Sequence, residues 1–102
     1  MMAIAEITVI PIGTATTSLS GYVADMQRTL SSVEGINYEM TAMGTIIEGS
    51  IDRLFDAIQR LHECPFQAGA GRVSTVVKID DRRDQDSSVA QKLESVRAKL
   101  NT

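Results

Sequence analysis

The sequence predicts an α+β fold in which four short strands alternate with two helices and a third helix follows. Three observations lead to this fold class. Segments of alternating apolar and polar residues are separated by segments with apolar residues at helical spacing. Residues that favour helix starts and ends stand at the borders of the helical segments. The length of 102 residues, 43% hydrophobic and 23% charged, fits one globular domain that spans residues 1–102.

The first strand is predicted over residues 3–12, "AIAEITVIPI", because β-branched residues alternate along it. One face carries Ala5, Ile7 and Val9, and the other carries Ile4, Glu6, Thr8 and Ile10. The polar, turn-forming "GTATTS" follows. The first helix is then predicted from Ser18, its N-cap, to a stop at Gly35. Its apolar stripe consists of Leu19, Val23, Met26, Leu30 and Val33.

A hairpin is predicted next. "INYEMTA" alternates, with Ile36, Tyr38 and Met40 on one face, and "TIIEG" is the returning strand. Met43 and Gly44 form the turn, because glycine reaches the positive φ that hairpins need.

The second helix is predicted to begin at the cap residue Ser50 and to end at Pro65. Its stripe consists of Ile51, Leu54, Phe55, Ile58 and Leu61. The fourth strand is "RVSTVVKI". Ser88 and Gln91 then form a capping box ahead of the third helix, whose stripe consists of Val89, Leu93, Val96 and Leu100.

The resulting order predicts a ferredoxin-like βαββαβ sandwich with an added C-terminal helix. Its four-stranded antiparallel sheet has the order 4-1-3-2, and two helices cover one face. The uncovered face mixes isoleucines with charges and is too apolar to stay bare. It consists of Glu6, Thr8, Ile10, Ile46, Glu48, Val76 and Lys78. We therefore expect a homo-oligomer, a tetramer made from two dimers.

Composition excludes several functions. A net charge of −3 makes nucleic acid a poor partner. The N-terminal apolar run is too short and polar to enter a membrane, so we expect a cytoplasmic protein. The single cysteine, Cys64, and the single histidine, His62, offer neither a metal site nor a nucleophilic triad. We therefore expect no required cofactor and no catalysis.

Four stretches in a consistent order resemble the small thiamine-binding protein family, which was long uncharacterised: "PIGT" at 11–14, "SLSGYVA" at 18–24, "MGTIIEG" at 43–49 and "KIDDRRD" at 78–84. The resemblance covers essentially the whole chain. It implies a ferredoxin-like, non-enzymatic oligomer that binds thiamine or its hydroxymethylpyrimidine half.

Glu48 ends an apolar strand, and two interpretations of it stay open. It could form a salt bridge with Lys78 or Arg82. Alternatively, it could accept hydrogen bonds from an aminopyrimidine, or offset the charge of a thiazolium, in a pocket completed by a second subunit.

The other candidate ligand-binding residues are Gly13, Thr14, Ser18, Tyr38, Gly44 and Thr45. Thr45 should lie near Gly13 and Thr14 at one end of the site, with Glu48 at the other end. Tyr38 could stack on a heteroaromatic ring or serve as a core aromatic residue. Ser18 stands at a helix start, where free backbone N–H groups favour acceptors. The alternative function is a regulatory module that senses another small effector, such as an amino acid.

Overall fold

A computed structural model describes residues 1–101 of the chain. The elements follow the predicted order: β1 (Met2–Pro11), α1 (Ser20–Ser31), β2 (Ile36–Met40), β3 (Thr45–Ser50), α2 (Ile51–Gln67), β4 (Val73–Asp80) and α3 (Val89–Leu100). The fold is ferredoxin-like with an added C-terminal helix, as predicted. Thr102, the last residue of the predicted domain, lies outside the described residues.

The four strands form one antiparallel sheet in the order β2-β3-β1-β4, which confirms the predicted topology. Ile7 of β1 stands opposite Thr45 of β3 and Val77 of β4. Because directly paired residues point to the same side of a sheet, this register assigns every strand residue to a face. We call the face that contains Ile7 the inner face, and the face that contains Glu6 and Glu48 the outer face.

The core lies between the inner face and the helices α1 and α2. Its buried residues alternate along β1 and recur at helical spacing in α1 and α2, as their sequence patterns predict. They are Ala3, Ala5, Ile7, Val9, Met26, Leu30, Val33, Ile47, Leu54, Ala57, Leu61 and Cys64.

Two predicted features of α1 are wrong. The helix begins at Ser20 with Leu19 in the cap position, and no side chain accepts a capping hydrogen bond there. Ser18 instead lies outside the helix, with its hydroxyl 3.3 Å from that of Ser20. The helix ends at Ser31, before Gly35, whose φ of +78° serves the entry into β2.

The prediction for α2 is wrong in two places. Pro65 lies inside the last turn, and the helix continues to Gln67. A proline removes one backbone donor, but here the carbonyls of Cys64 and Pro65 accept from the N–H of Ala68, so the turn still closes. Phe55 is 56% exposed because the buried stripe runs through the small residue Ala57 instead.

The third helix leaves the body of the molecule. The hydroxyl of Ser88 accepts from the N–H of Gln91 at 3.1 Å, which confirms the predicted cap. None of the residues of α3 is buried. The protein is accordingly elongated, with dimensions of 51 × 28 × 19 Å. No helix within residues 1–101 is long and apolar enough to cross a membrane.

Candidate functional site

The candidate site is a cavity of about 730 Å³ beside the start of β3. It arises because β1 is longer than its neighbour: β3 begins at Thr45, opposite Ile7, whereas β1 continues to Pro11. The sheet therefore has a notch at Thr8–Ile10. The side chains of α1 and the β2–β3 connection line this notch. The lining residues are Ile7, Thr8, Val9, Ile10, Leu19, Ser20, Val23, Ala24, Met26, Gln27, Met40, Thr41, Ala42, Met43, Gly44, Thr45 and Leu61.

One polar pair stands among the apolar walls of this cavity. The Nε2 of Gln27, in α1, donates to the Oγ1 of Thr45 at 3.1 Å. Thr45 is only 8% exposed, so its hydroxyl is fixed in position by this bond and by the sheet. The amide of Gln27 still has an acceptor oxygen, and a hydroxyl can both donate and accept. The pair therefore offers donors and acceptors side by side.

The sequence interpretation missed Gln27. A signal for it was present, because Gln27 follows Val23 by four residues and precedes Leu30 by three. That spacing places an amide on the apolar side of the predicted helix, where an uncharged polar group needs a partner.

The cavity contains no charged side chain: its lining, drawn from residues 1–101, includes no Asp, Glu, Lys or Arg. Burial of an unpaired ion in such surroundings is costly, whereas a neutral ring with polar edges is accommodated by the walls and the Gln27–Thr45 pair. The arrangement therefore favours an uncharged group with polar edges over an ion.

The connection between β2 and β3 is fixed against β1. The Oγ1 of Thr8 donates to the carbonyl of Met43 at 3.0 Å, and the N–H of Thr41 donates to the carbonyl of Gly44 at 2.7 Å. Gly44 does not have the positive φ that the sequence interpretation gave it. Glycine is needed for a different reason: a Cβ there would lie 2.8 Å from the Oγ1 of Thr8 and 2.9 Å from the carbonyl oxygen of Ile7.

The structure brings only two of the predicted site residues, Gly44 and Thr45, to this cavity. The register corrects the expected proximity of Thr45 to Gly13 and Thr14, since Thr45 pairs with Ile7 and the loop lies beyond the far end of β1. There the hydroxyl of Thr14 donates to the carbonyl of Thr16 at 2.8 Å, within the loop itself.

Ser18 and Tyr38 also lie outside the lining of the cavity. The N–H of Ser18 donates to the hydroxyl of Thr16 at 3.2 Å. Tyr38 lies on the inner face of β2, opposite Ile47, and is 41% exposed because β2 is an edge strand. Its ring is accessible for stacking, but away from the polar pair.

Glu48 lies on the outer face, near the other end of β3 from Thr45. Its Oε1 accepts from the Nδ2 of Asn37 at 3.2 Å, and its Oε2 accepts from the N–H of Val89, the first residue of α3, at 2.8 Å. A carboxylate is stabilised there by the free backbone donors and the dipole of the helix. Glu48 points to the opposite side of the sheet from Thr45 and is not among the residues that line the cavity.

The expected partners of Glu48 are engaged elsewhere. Lys78 pairs with Glu6 at 3.3 Å, and Arg82 donates to both carboxylate oxygens of Asp84, at 2.6 and 2.7 Å. The Arg82 guanidinium holds the pKa of Asp84 below its ordinary value by hydrogen bonding. Among the described residues, no three of the types His, Cys, Asp and Glu are grouped as metal ligands.

The sequence of the chain matches a known protein family and several of its members. The model of a family described as "Thiamine-binding protein" matches residues 5–97. The chain is 50% identical to the UPF0045 protein YqgV of Bacillus subtilis over 102 residues, which cover 97% of this chain and 98% of that protein. It is 47% identical to a UPF0045 protein of Methanothermobacter thermautotrophicus over 100 residues, covering 97% and 100% of the two chains.

Among solved structures, the chain is similar to the hypothetical protein MJ1052 of Methanocaldococcus jannaschii, with a TM-score of 0.83 and 29% identity over 93% of this chain and 95% of that one. A Thermotoga maritima protein named for thiamine biosynthesis or salvage has a TM-score of 0.77 and 20% identity over 94% and 99% of the two chains. The second likeness shows the shared fold. The family model and the sequence relatives, which extend over nearly the whole chain, show more: this chain belongs to the thiamine-binding protein family.

Proposed function

We propose that the protein binds a thiamine-type ligand, without turnover, and that the pyrimidine ring of the ligand occupies the cavity between α1 and the β2–β3 connection. The observation that carries the proposal is the Gln27–Thr45 pair inside an otherwise apolar, uncharged cavity. Membership of the thiamine-binding family supports the class of ligand.

The chemistry of an aminopyrimidine matches this pair. The ring presents an amino donor beside a ring-nitrogen acceptor, and a primary amide next to a hydroxyl can satisfy both. The flat faces of the ring would contact apolar residues such as Val23, Met26 and Leu61. The volume of about 730 Å³ lies within the range typical of small-molecule sites.

The charged parts of thiamine and its phosphates belong outside this cavity. A thiazolium or a phosphate would find no ion partner among the lining residues. We infer that these groups extend toward the mouth of the cavity. The further predicted site residues, Gly13, Thr14, Ser18 and Tyr38, would have to contact the ligand outside this cavity. Glu48, on the outer face, would contact it from a second subunit.

An amino-acid sensor, the alternative function, is supported less well. A free amino acid carries an ammonium and a carboxylate, and both would lose water on entering the cavity without gaining an ionic partner. The same lining supports ligand binding without catalysis. The cavity is not lined by the usual proton-transfer or nucleophilic residues His, Cys, Asp and Glu.

We also propose that the protein is a cytoplasmic homo-oligomer, a tetramer built as a dimer of dimers. The outer face supports self-association, since Ile10 and Val76 are 43% and 59% exposed there and neither α1 nor α2 covers that face. A second copy that covers this face would remove these side chains from water.

A thermal-shift panel tests the ligand proposal, because a ligand that binds the native state must raise the apparent melting temperature. We expect hydroxymethylpyrimidine and thiamine to raise it and free amino acids to leave it unchanged. Thiamine phosphates should behave as thiamine does if the charged groups stay outside the cavity. Stabilisation by amino acids alone would favour the sensor, and no shift with either pyrimidine compound would contradict the proposal.

A further inference from the structure

The apolar stripe of α3 is not covered by its own chain. Val89, Leu93, Val96 and Leu100 share one side of the helix, and from Leu93 onward they are 51–77% exposed. Two contacts join the start of the helix to the body. Glu48 accepts from the N–H of Val89, and Lys92 pairs with Asp80. An amphipathic helix of this kind normally buries its stripe against another surface.

The outer face of the sheet is a second uncovered surface in the same chain. Ile10, Ile46 and Val76 give it an apolar centre, and Val76 is 59% exposed. A 12-residue helix is about 18 Å long, and the four strands span about 14 Å from first to last. The part beyond the contacts with its own chain, from Leu93 to Leu100, is about 12 Å long, which is enough to cross three of the four strands.

The charges of the two surfaces are opposite. Lys92 of α3 and Asp80 of the outer face already pair within one chain and cancel. The rest of α3 has Arg97 and Lys99 against Glu94, a net charge of +1. The rest of the outer face has Glu6, Glu39 and Glu48 against Lys78, a net charge of −2. Two helices packed together would therefore repel each other, and so would two bare outer faces. Opposite charges meet only when α3 of one copy lies against the outer face of the other.

We propose that α3 of one copy lies across the outer face of a second copy, and that the second copy returns the same contact. Each chain has one such helix and one such face, so the exchange closes under twofold symmetry. The helix covers the apolar centre and brings positive charge to an acidic surface. This inference rests on the proposed self-association and does not depend on what ligand the cavity binds.

Sedimentation velocity of three variants at micromolar concentration, without ligand, tests the proposal. Leu93→Glu introduces a charge into the stripe, Gln91→Glu introduces the same charge on the opposite side of α3, and Val76→Glu introduces it into the outer face. All three positions lie outside the core. In Leu93→Glu the new carboxylate stands four residues before Arg97, a spacing that supports a helix. Melting curves check that each variant remains folded.

We expect Leu93→Glu and Val76→Glu each to weaken association at least tenfold, and Gln91→Glu to assemble as the natural chain does. Assembly of Leu93→Glu at natural strength would overturn the proposal. Dissociation by Leu93→Glu but not by Val76→Glu would also overturn it, by showing that the helices pair with each other. A monomeric natural chain would refute self-association itself, while ligand binding in the thermal-shift panel would be unaffected by that result.

Discussion

Gln27 and Glu48 show how position within the sheet and helices decides what a polar side chain does. Gln27 lies on the apolar side of α1, and its amide meets the hydroxyl of Thr45 inside the cavity. Glu48 lies on the outer face and accepts from the first backbone donor of α3. In the proposed site the first would contact the ligand, whereas the second contacts the start of α3.

Gln27→Leu and Thr45→Val should each weaken pyrimidine binding. Each change leaves a polar group of the buried ligand without a partner, which costs about 1–3 kcal/mol, or about 5- to 150-fold in affinity. Calorimetric titration with hydroxymethylpyrimidine measures this loss. Gln59→Leu, on the exposed side of α2, is the matched control and should bind as the natural chain does. Equal affinity in all three variants would exclude the Gln27–Thr45 pair from the site.

Glu48→Gln should loosen α3. The change removes the charge that complements the start of the helix, a contribution of about 0.3–1 kcal/mol. Hydrogen exchange at the first turn of α3 should speed up, whereas Glu39→Gln, on the same face, should leave it unchanged. A loss of about 10- to 150-fold in thiamine affinity in the assembled protein would instead assign Glu48 to a ligand site shared between subunits. Unchanged affinity would make Glu48 structural.

The β2–β3 connection is the element that shapes the cavity. Its backbone lies close enough to β1 that only glycine fits at position 44. Hydrogen bonds from the hydroxyls of Thr8 and Thr41 to carbonyls of the connection hold it in place. The notch in the sheet persists because this connection does not continue β3 alongside Thr8–Ile10. The cavity is therefore a consequence of unequal strand lengths.

Gly44→Ala should distort this element. The new methyl group would stand 2.9 Å from the carbonyl oxygen of Ile7, which the sheet prevents from moving. We expect a loss of about 1–3 kcal/mol in the free energy of unfolding, together with weaker pyrimidine binding. Urea unfolding and calorimetry measure the two effects. Gly71→Ala is the control, since a Cβ there meets nothing within 4 Å. If the two variants are equally stable, the connection is not packed as described.

At the scale of the whole molecule, a small core carries the stability while two apolar surfaces stay outside it. The core joins the inner face to α1 and α2, and the uncovered surfaces are the outer face and the stripe of α3. A domain of 102 residues buries a modest share of its surface. Association of copies would therefore add burial that one chain cannot provide.

Neighbouring residues of α2 test where this core ends. Leu54 is completely buried and Phe55 is 56% exposed. Leu54→Ala should lower the free energy of unfolding by about 2–5 kcal/mol, because it removes buried methyl groups and leaves a cavity. Phe55→Ala should cost less than about 1 kcal/mol in a dissociated chain. Chemical denaturation measures both, and equal losses would show that Phe55 belongs to the core or to an interface.

The sequence by itself determined the order of the elements, the two faces of β1, the strand order and the cap of α3. These features are local or follow from known connection rules: alternation fixes a strand face, and Ser88 and Gln91 are three residues apart. The family resemblance also rests on short contiguous stretches, such as "MGTIIEG" at 43–49.

Only the tertiary structure decided the partners of Glu48, the Gln27–Thr45 pair, the steric need for Gly44 and the exposure of Phe55. Gln27 and Thr45 lie in different elements, and Glu48 meets α3 41 residues further along the chain. Which side chains meet depends on how a helix is rotated against the sheet and on where one strand ends beside another. Periodicity assigns a residue to a face, but it carries no information about the residue that stands opposite.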